Sequence, residues 1–198
     1  MKHTWINTVV IVLVGIFVSN PGSVRAEYGT GPYYATPSWD QKLEATTRFV
    51  VLQDWNLYAV LDKETGLVWE KDAGANSFKM MWGEAYSHCI NLNVANRKGW
   101  HLPTIEQLLS LVDTSLYVYT REELRAHPEL NRKLPAGHPF IHVLTDTYWS
   151  LTTQPGNSGD NTFALTVNFV SGKAQVNKKV NKSSHVWCVR GGQTHDAY

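Results

Sequence analysis

Cys89 and Cys188 are the only two cysteines of this 198-residue chain, 99 positions apart. In an exported protein an even pair reads as a disulfide. Here it would tie an early helix to the last strand. A bridge closing a loop of that length stabilises by about 4 to 5 kcal/mol in the chain-entropy model. The rival is a reactive or metal-binding pair, but no CxxC spacing or neighbouring histidine pair supports it. The eight histidines show no H-E-x-x-H or related ligand spacing. His138 and His142 flank Pro139-Phe140-Ile141 and could converge on a metal, with polar loop histidines as the plainer reading. No Ser-His-Asp set can be argued from spacing, so neither catalysis nor a metal site is expected.

Charge offers a second kind of chemistry. Lys173, Lys178, Lys179 and Lys182 fall on adjacent strands and the loop that follows them, and Arg97 and Lys98 are further candidates. Such a basic rim would bind an acidic surface or an anionic glycan in a salt-dependent way. The competing reading is a solvated hairpin kept soluble by its lysines. The whole chain has a formal charge of +1, which offers no footprint for nucleic acid.

These residues need elements to hold them. Residues 1–26 read as a signal peptide: Lys2 and His3, an apolar run from Val9 to Val18, a break at Pro21-Gly22-Ser23, and a cleavage site at Val24-Arg25-Ala26. An uncleaved anchor is the alternative, although the run is short for a span of about 20 residues. No cysteine follows it for a lipid anchor. Residues 27–47, with Gly29, Gly31, Pro32, Pro37 and a run of tyrosines, read as an extended aromatic arm. The domain is expected over 48–192, with a tail at 193–198.

The stretch from Gly99 to Asp113 organises that domain. Pro103 pushes Leu102 toward extended backbone. Thr104 can cap a helix, and Gln107 can close its capping box. Ile105, Leu108, Leu109, Leu111 and Val112 make an apolar face at helical spacing. An earlier helix runs from Trp82 to about Leu92 with Cys89 on its inner face, and a short third is expected from Thr120 to Ala126. Strands are expected at 49–52, 57–61, 67–70, 147–152, 163–169, 173–176 and 185–190. Trp69, Trp82, Trp100, Trp149 and Trp187 are assigned to the core.

The order of these pieces resembles the Lcl C-terminal domain family, a module of bacterial exported proteins named for a collagen-like adhesin of Legionella. The matching residues are Thr65-Gly66-Leu67-Val68-Trp69, Trp82-Gly83-Glu84-Ala85 with Cys89, Gly99-Trp100-His101-Leu102-Pro103-Thr104, Leu108 to Asp113, Tyr148-Trp149-Ser150, Val167-Asn168-Phe169 with Gly172, and Cys188-Val189-Arg190. The resemblance implies an α+β, C-type-lectin-like fold: two main helices on small twisted antiparallel sheets, with one disulfide. It also implies kinship with the formylglycine-generating enzymes, which need a reactive, copper-binding cysteine pair. Here both cysteines match the fold's structural bridge, leaving none for redox work.

What the resemblance implies for ligands is binding without catalysis. The family's adhesin binds sulfated glycans through this domain, which points to the lysines. Gln154-Pro155-Gly156-Asn157, with Asp160 and Asn161, is similar to a lectin calcium loop, so Asn157, Asp160 and Asn161 are candidate ligand contacts. Gly156 stands where a carboxylate is expected, and Asp146 is the only other acid nearby. A glycine-rich turn is therefore the plainer reading, and no cofactor is expected. The function implied is an exported binding module, periplasmic or extracellular, that meets a glycan or protein through loops 154–161 and 173–184. The alternatives are an accessory subunit docking through the N-terminal arm, and a formylglycine-generating-type oxidase. The family usually has Arg at His101 and often Glu at Gln107. Either a buried ion pair has become neutral at both ends together, or both positions are exposed and uncoupled.

Overall fold

The computed structural model describes residues 43–75, 78–116, 122, 133–154 and 161–192, all within the unit Tyr34–Tyr198. The expected signal peptide, the arm up to residue 42, nearly all of the third helix, loop residues 155–160 and the tail lie outside them.

The elements are α1 (Ala45–Arg48), β1 (Phe49–Val51), β2 (Ala59–Asp62), β3 (Val68–Glu70), α2 (Trp82–Asn91), β4 (Trp100–His101), α3 (Ile105–Leu109), β5 (Thr147–Gln154), β6 (Phe163–Asn168), β7 (Lys173–Lys178) and β8 (Val189–Arg190). They form an α+β fold with two antiparallel sheets, one ordered β1-β2-β3-β8-β4 and one ordered β5-β6-β7. The last strand thus enters between β3 and β4. Among the described residues no helix is long and apolar enough to cross a membrane.

The β2–β3 turn shows why the chain folds locally as it does. Asp62 Oδ1 accepts the Glu64 N–H at 3.0 Å, and Gly66 at φ 70° donates its N–H to the Asp62 carbonyl. An Asx turn followed by a left-handed glycine returns the chain in five residues. At α3 the expected capping box is present. Thr104 Oγ1 accepts the Gln107 N–H at 3.3 Å, and Gln107 Oε1 accepts the Thr104 N–H at 2.9 Å. The α-helix ends at Leu109, short of the expected Asp113. The Leu111 and Val112 amides bond back three residues, to Leu108 and Leu109, and both side chains stay buried.

Two apolar clusters make the core. One gathers Leu67, Trp69, Leu108, Leu111, Tyr148, Phe169 and Trp187. The other gathers Ala85, Cys89, Trp100, Leu102, Trp149 and Cys188. The Cys89–Cys188 disulfide, with Cα atoms 5.5 Å apart, fastens α2 to the chain entering β8. Trp69, Trp100, Trp149 and Trp187 are buried as expected. Trp82 meets the core only in part: it packs half-buried against the second cluster and donates its Nε1–H to the Ser150 carbonyl at 2.9 Å, while its ring stacks on exposed Tyr86.

Contacts of the domain begin upstream of Arg48. Leu43 donates its N–H to Glu64, and Ala45 is in the core. Arg48 itself is buried. Its Nε and Nη2 donate to the two Asp62 carboxylate oxygens at 2.8 and 2.7 Å, and Nη2 also donates to the Ser110 carbonyl. Glu64 completes the group, with Oε2 3.7 Å from Nη1.

Candidate functional site

β7 lies at the edge of its sheet and pairs with β6 from Phe163↔Lys178 to Asn168↔Lys173. Side chains alternate along a strand, so Lys173 and Lys178 lie at opposite ends and on opposite faces. Asn177, on the face of Lys173, bonds Thr166 Oγ1 and Ser184 Oγ. The expected four-lysine rim is therefore divided: Lys178 ends β7, and Lys179 and Lys182 follow in the turn after it.

Lys179 has the most defined setting. Its N–H donates to the Thr162 carbonyl at 2.9 Å. Its Nζ stands 4.0 Å from the Trp82 ring centroid, and Trp82 stacks on Tyr86 at 5.6 Å with planes 14° apart. Burial pulls the Lys179 ammonium below its ordinary pKa. Lys178 and Lys182 are exposed, as is Asn161 beside Thr162. The end of the 154–161 loop and the lysine turn thus adjoin. Asn157 and Asp160 lie outside the described residues.

Arg97 and Lys98 do not join this group. The Arg97 guanidinium stands 4.5 Å from the Trp55 ring centroid and donates to the Asp54 and Ala95 carbonyls. Arg190 approaches the same ring at 5.4 Å and donates to the Lys98 carbonyl. Trp82 opens α2, whereas Arg97 lies six residues beyond its last residue, Asn91.

Asp146, the described acid near the supposed calcium loop, is committed elsewhere. Asp146 Oδ2 lies 2.5 Å from Lys79 Nζ, and Oδ1 accepts the Thr147 N–H. Burial pushes the Asp146 carboxyl up, but Lys79 and the Thr147 amide outweigh it and hold it below its ordinary value. Among the described residues no three His, Cys, Asp or Glu side chains gather as a metal site. His142 Nδ1 is 3.0 Å from Asp72 Oδ2, while the His138 ring packs on Phe140. His185 is held below its ordinary pKa, chiefly by burial, which Lys79 reinforces and Asp146 opposes. His101 and Gln107 make no hydrogen bond to each other. The His101 ring nitrogens lie 2.8 Å from the Leu102 carbonyl and 3.1 Å from the Gly191 carbonyl. Gln107 is buried in its capping box and packs so closely on Gly192 that a Cβ there would meet its Nε2 at 2.8 Å.

One feature escaped the sequence reading. A cleft of about 550 Å³ is lined by Leu57, Tyr58, Glu70, Lys71, Asp72 and Ile141, among others. Glu70 is 8 % exposed, and its Oε2 accepts the Cys188 N–H at 2.9 Å. Burial raises its pKa to about 7; Asp72 adds to the rise and the Cys188 amide opposes it. Asn56, Leu57 and Ala95 line the cleft with φ of 52°, 64° and 49°. Left-handed backbone at residues other than glycine is costly and gathers at functional places. Nothing in Trp55-Asn56-Leu57-Tyr58 signals it beyond Asn56, a residue type that tolerates this region.

No curated protein matches the chain. The family model of the Lcl C-terminal domain matches residues 58–190, two thirds of the chain, from the approach to β2 through the end of β8. That span holds both cysteines, α2, α3 and the lysine turn. The chain belongs to the Lcl C-terminal domain family.

Proposed function

We propose that this chain is an exported, non-catalytic binding module that recognises an anionic glycan in the periplasm or outside the cell. The observation that carries the reading is the Lys179 ammonium over the Trp82 ring of the Trp82–Tyr86 stack, with exposed Lys178 and Lys182 one and three residues away in sequence. Lysines supply salt-dependent attraction for sulfate or carboxylate groups. The partly exposed aromatic pair supplies an apolar face on which a sugar ring can rest. Membership of a family named for an adhesin supports the class of ligand. The disulfide supports export, because such bonds persist in oxidising compartments. It also leaves no free thiol for oxidase chemistry of the formylglycine-generating type.

The test is binding of immobilised heparin and of its desulfated form, with and without a calcium chelator. Binding is expected for the sulfated form alone, to be chelator-insensitive, and to weaken about tenfold or more in a Lys178→Gln, Lys179→Gln, Lys182→Gln triple variant. Equal binding of both forms, or an unaffected triple variant, overturns the lysine site. Chelator-sensitive binding would favour calcium at the 154–161 loop. No glycan binding at all would favour an accessory subunit that docks through its N-terminal arm.

A further inference from the structure

We propose that the cleft beside Glu70 is a second binding site, separate from the lysine turn, for a primary ammonium group carried on an apolar chain or ring. Glu70 is more than nine-tenths buried at the end of β3. One carboxylate oxygen is taken by the Cys188 amide; the other has no hydrogen bond and is not sealed inside the protein. Lys71 also lines the cleft but makes no ion pair with it, and the charged neighbour it feels is the carboxylate of Asp72. A buried carboxyl without a counter-charge is costly, and such groups mark sites that take their partner from outside.

The walls fit the rest of such a ligand. Leu57, Tyr58 and Ile141 line the cleft although they are 50 %, 65 % and 42 % exposed. Tyr58 can meet the ammonium with its ring face and the apolar body with its edge. The left-handed backbone at Asn56 and Leu57 sets this wall at the mouth, where an ordinary turn would need a glycine. His142 Nδ1 stands 3.0 Å from Asp72 Oδ2, so Asp72 has a side-chain partner within the protein while the second Glu70 oxygen does not.

The probes are phenethylamine and its neutral counterpart 2-phenylethanol, titrated into the folded protein by amide NMR. Phenethylamine is expected to shift the amides of Leu57, Tyr58, Lys71 and Cys188, and the alcohol to bind about tenfold more weakly or not at all. Glu70→Gln is expected to abolish that preference. Tyr58→Ala, at an exposed position, is expected to weaken the amine about threefold or more with the fold intact. The proposal fails if the alcohol binds as well as the amine, if a folded Glu70→Gln protein keeps the preference, or if Tyr58→Ala leaves affinity unchanged. Tyr58→Ala decides the matter if Glu70→Gln does not fold. The lysine turn plays no part, so loss of heparin binding leaves this outcome unaffected.

Discussion

Glu70 is where a single residue sets a measurable property of the whole molecule. Its carboxyl ionises near pH 7 in the folded chain, against 4.5 for an unperturbed group. The folded state keeps this proton over a range in which the unfolded chain has lost it. Its contribution is therefore full below 4.5 and is lost as pH rises to 7. The shift corresponds to about 3 kcal/mol. Relative to wild type, Glu70→Gln should gain about that much stability between pH 4.5 and about pH 8, read from urea midpoints at both ends. Arg48 is the second such residue. Arg48→Met would leave Asp62 buried without its cation and should cost about 3 to 5 kcal/mol in the same assay. Neither residue was legible in the sequence. Positions 48, 62 and 64 share no periodic spacing, and only the β1–β2 register of Phe49↔Asp62 brings them together. Cys89 and Cys188 were legible because a lone even pair with no CxxC or histidine-ligand spacing leaves a bridge as the plainest reading.

At the scale of the element, capping and turn chemistry were readable because they are local. Thr104, Gln107 and the apolar face after them specify α3 within a few residues. Thr104→Ala should cost about 1 kcal/mol, seen as a lower thermal midpoint, with Glu106→Gln as a nearly silent control. The point at which α3 stops was not readable. The Ser110 carbonyl is claimed by Arg48, and the Asp113 amide by the Lys133 carbonyl, both from remote parts of the chain. Trp82 was placed only in part for a related reason. Helical spacing shows which side a residue occupies, but not how fully the first turn is covered. The lysines show the same limit: proximity in sequence grouped Lys173 with Lys178, and strand alternation parts them.

At the scale of the molecule, the sheet order β1-β2-β3-β8-β4 returns the end of the chain to its middle, and the disulfide fixes that return. Reduction of the bridge should remove about 4 to 5 kcal/mol, measured by urea unfolding with and without reductant. The scaffold so closed presents two faces of different chemistry. The lysine turn after β7 is cationic and aromatic, and the cleft beside β3 is apolar with a carboxyl floor. The first was visible in the sequence because its charges lie in one run. The second was invisible because β3, the 56–58 turn and Ile141 meet only on folding.

The most direct measurement of the proposed function is the affinity of the intact protein for a heparin oligosaccharide as salt is raised. Screening shortens from about 10 Å at 0.1 M to about 3 Å at 1 M. Recognition through Lys178, Lys179 and Lys182 predicts an affinity that falls steeply and steadily over that range. An affinity indifferent to salt, or no affinity at low salt, would contradict it.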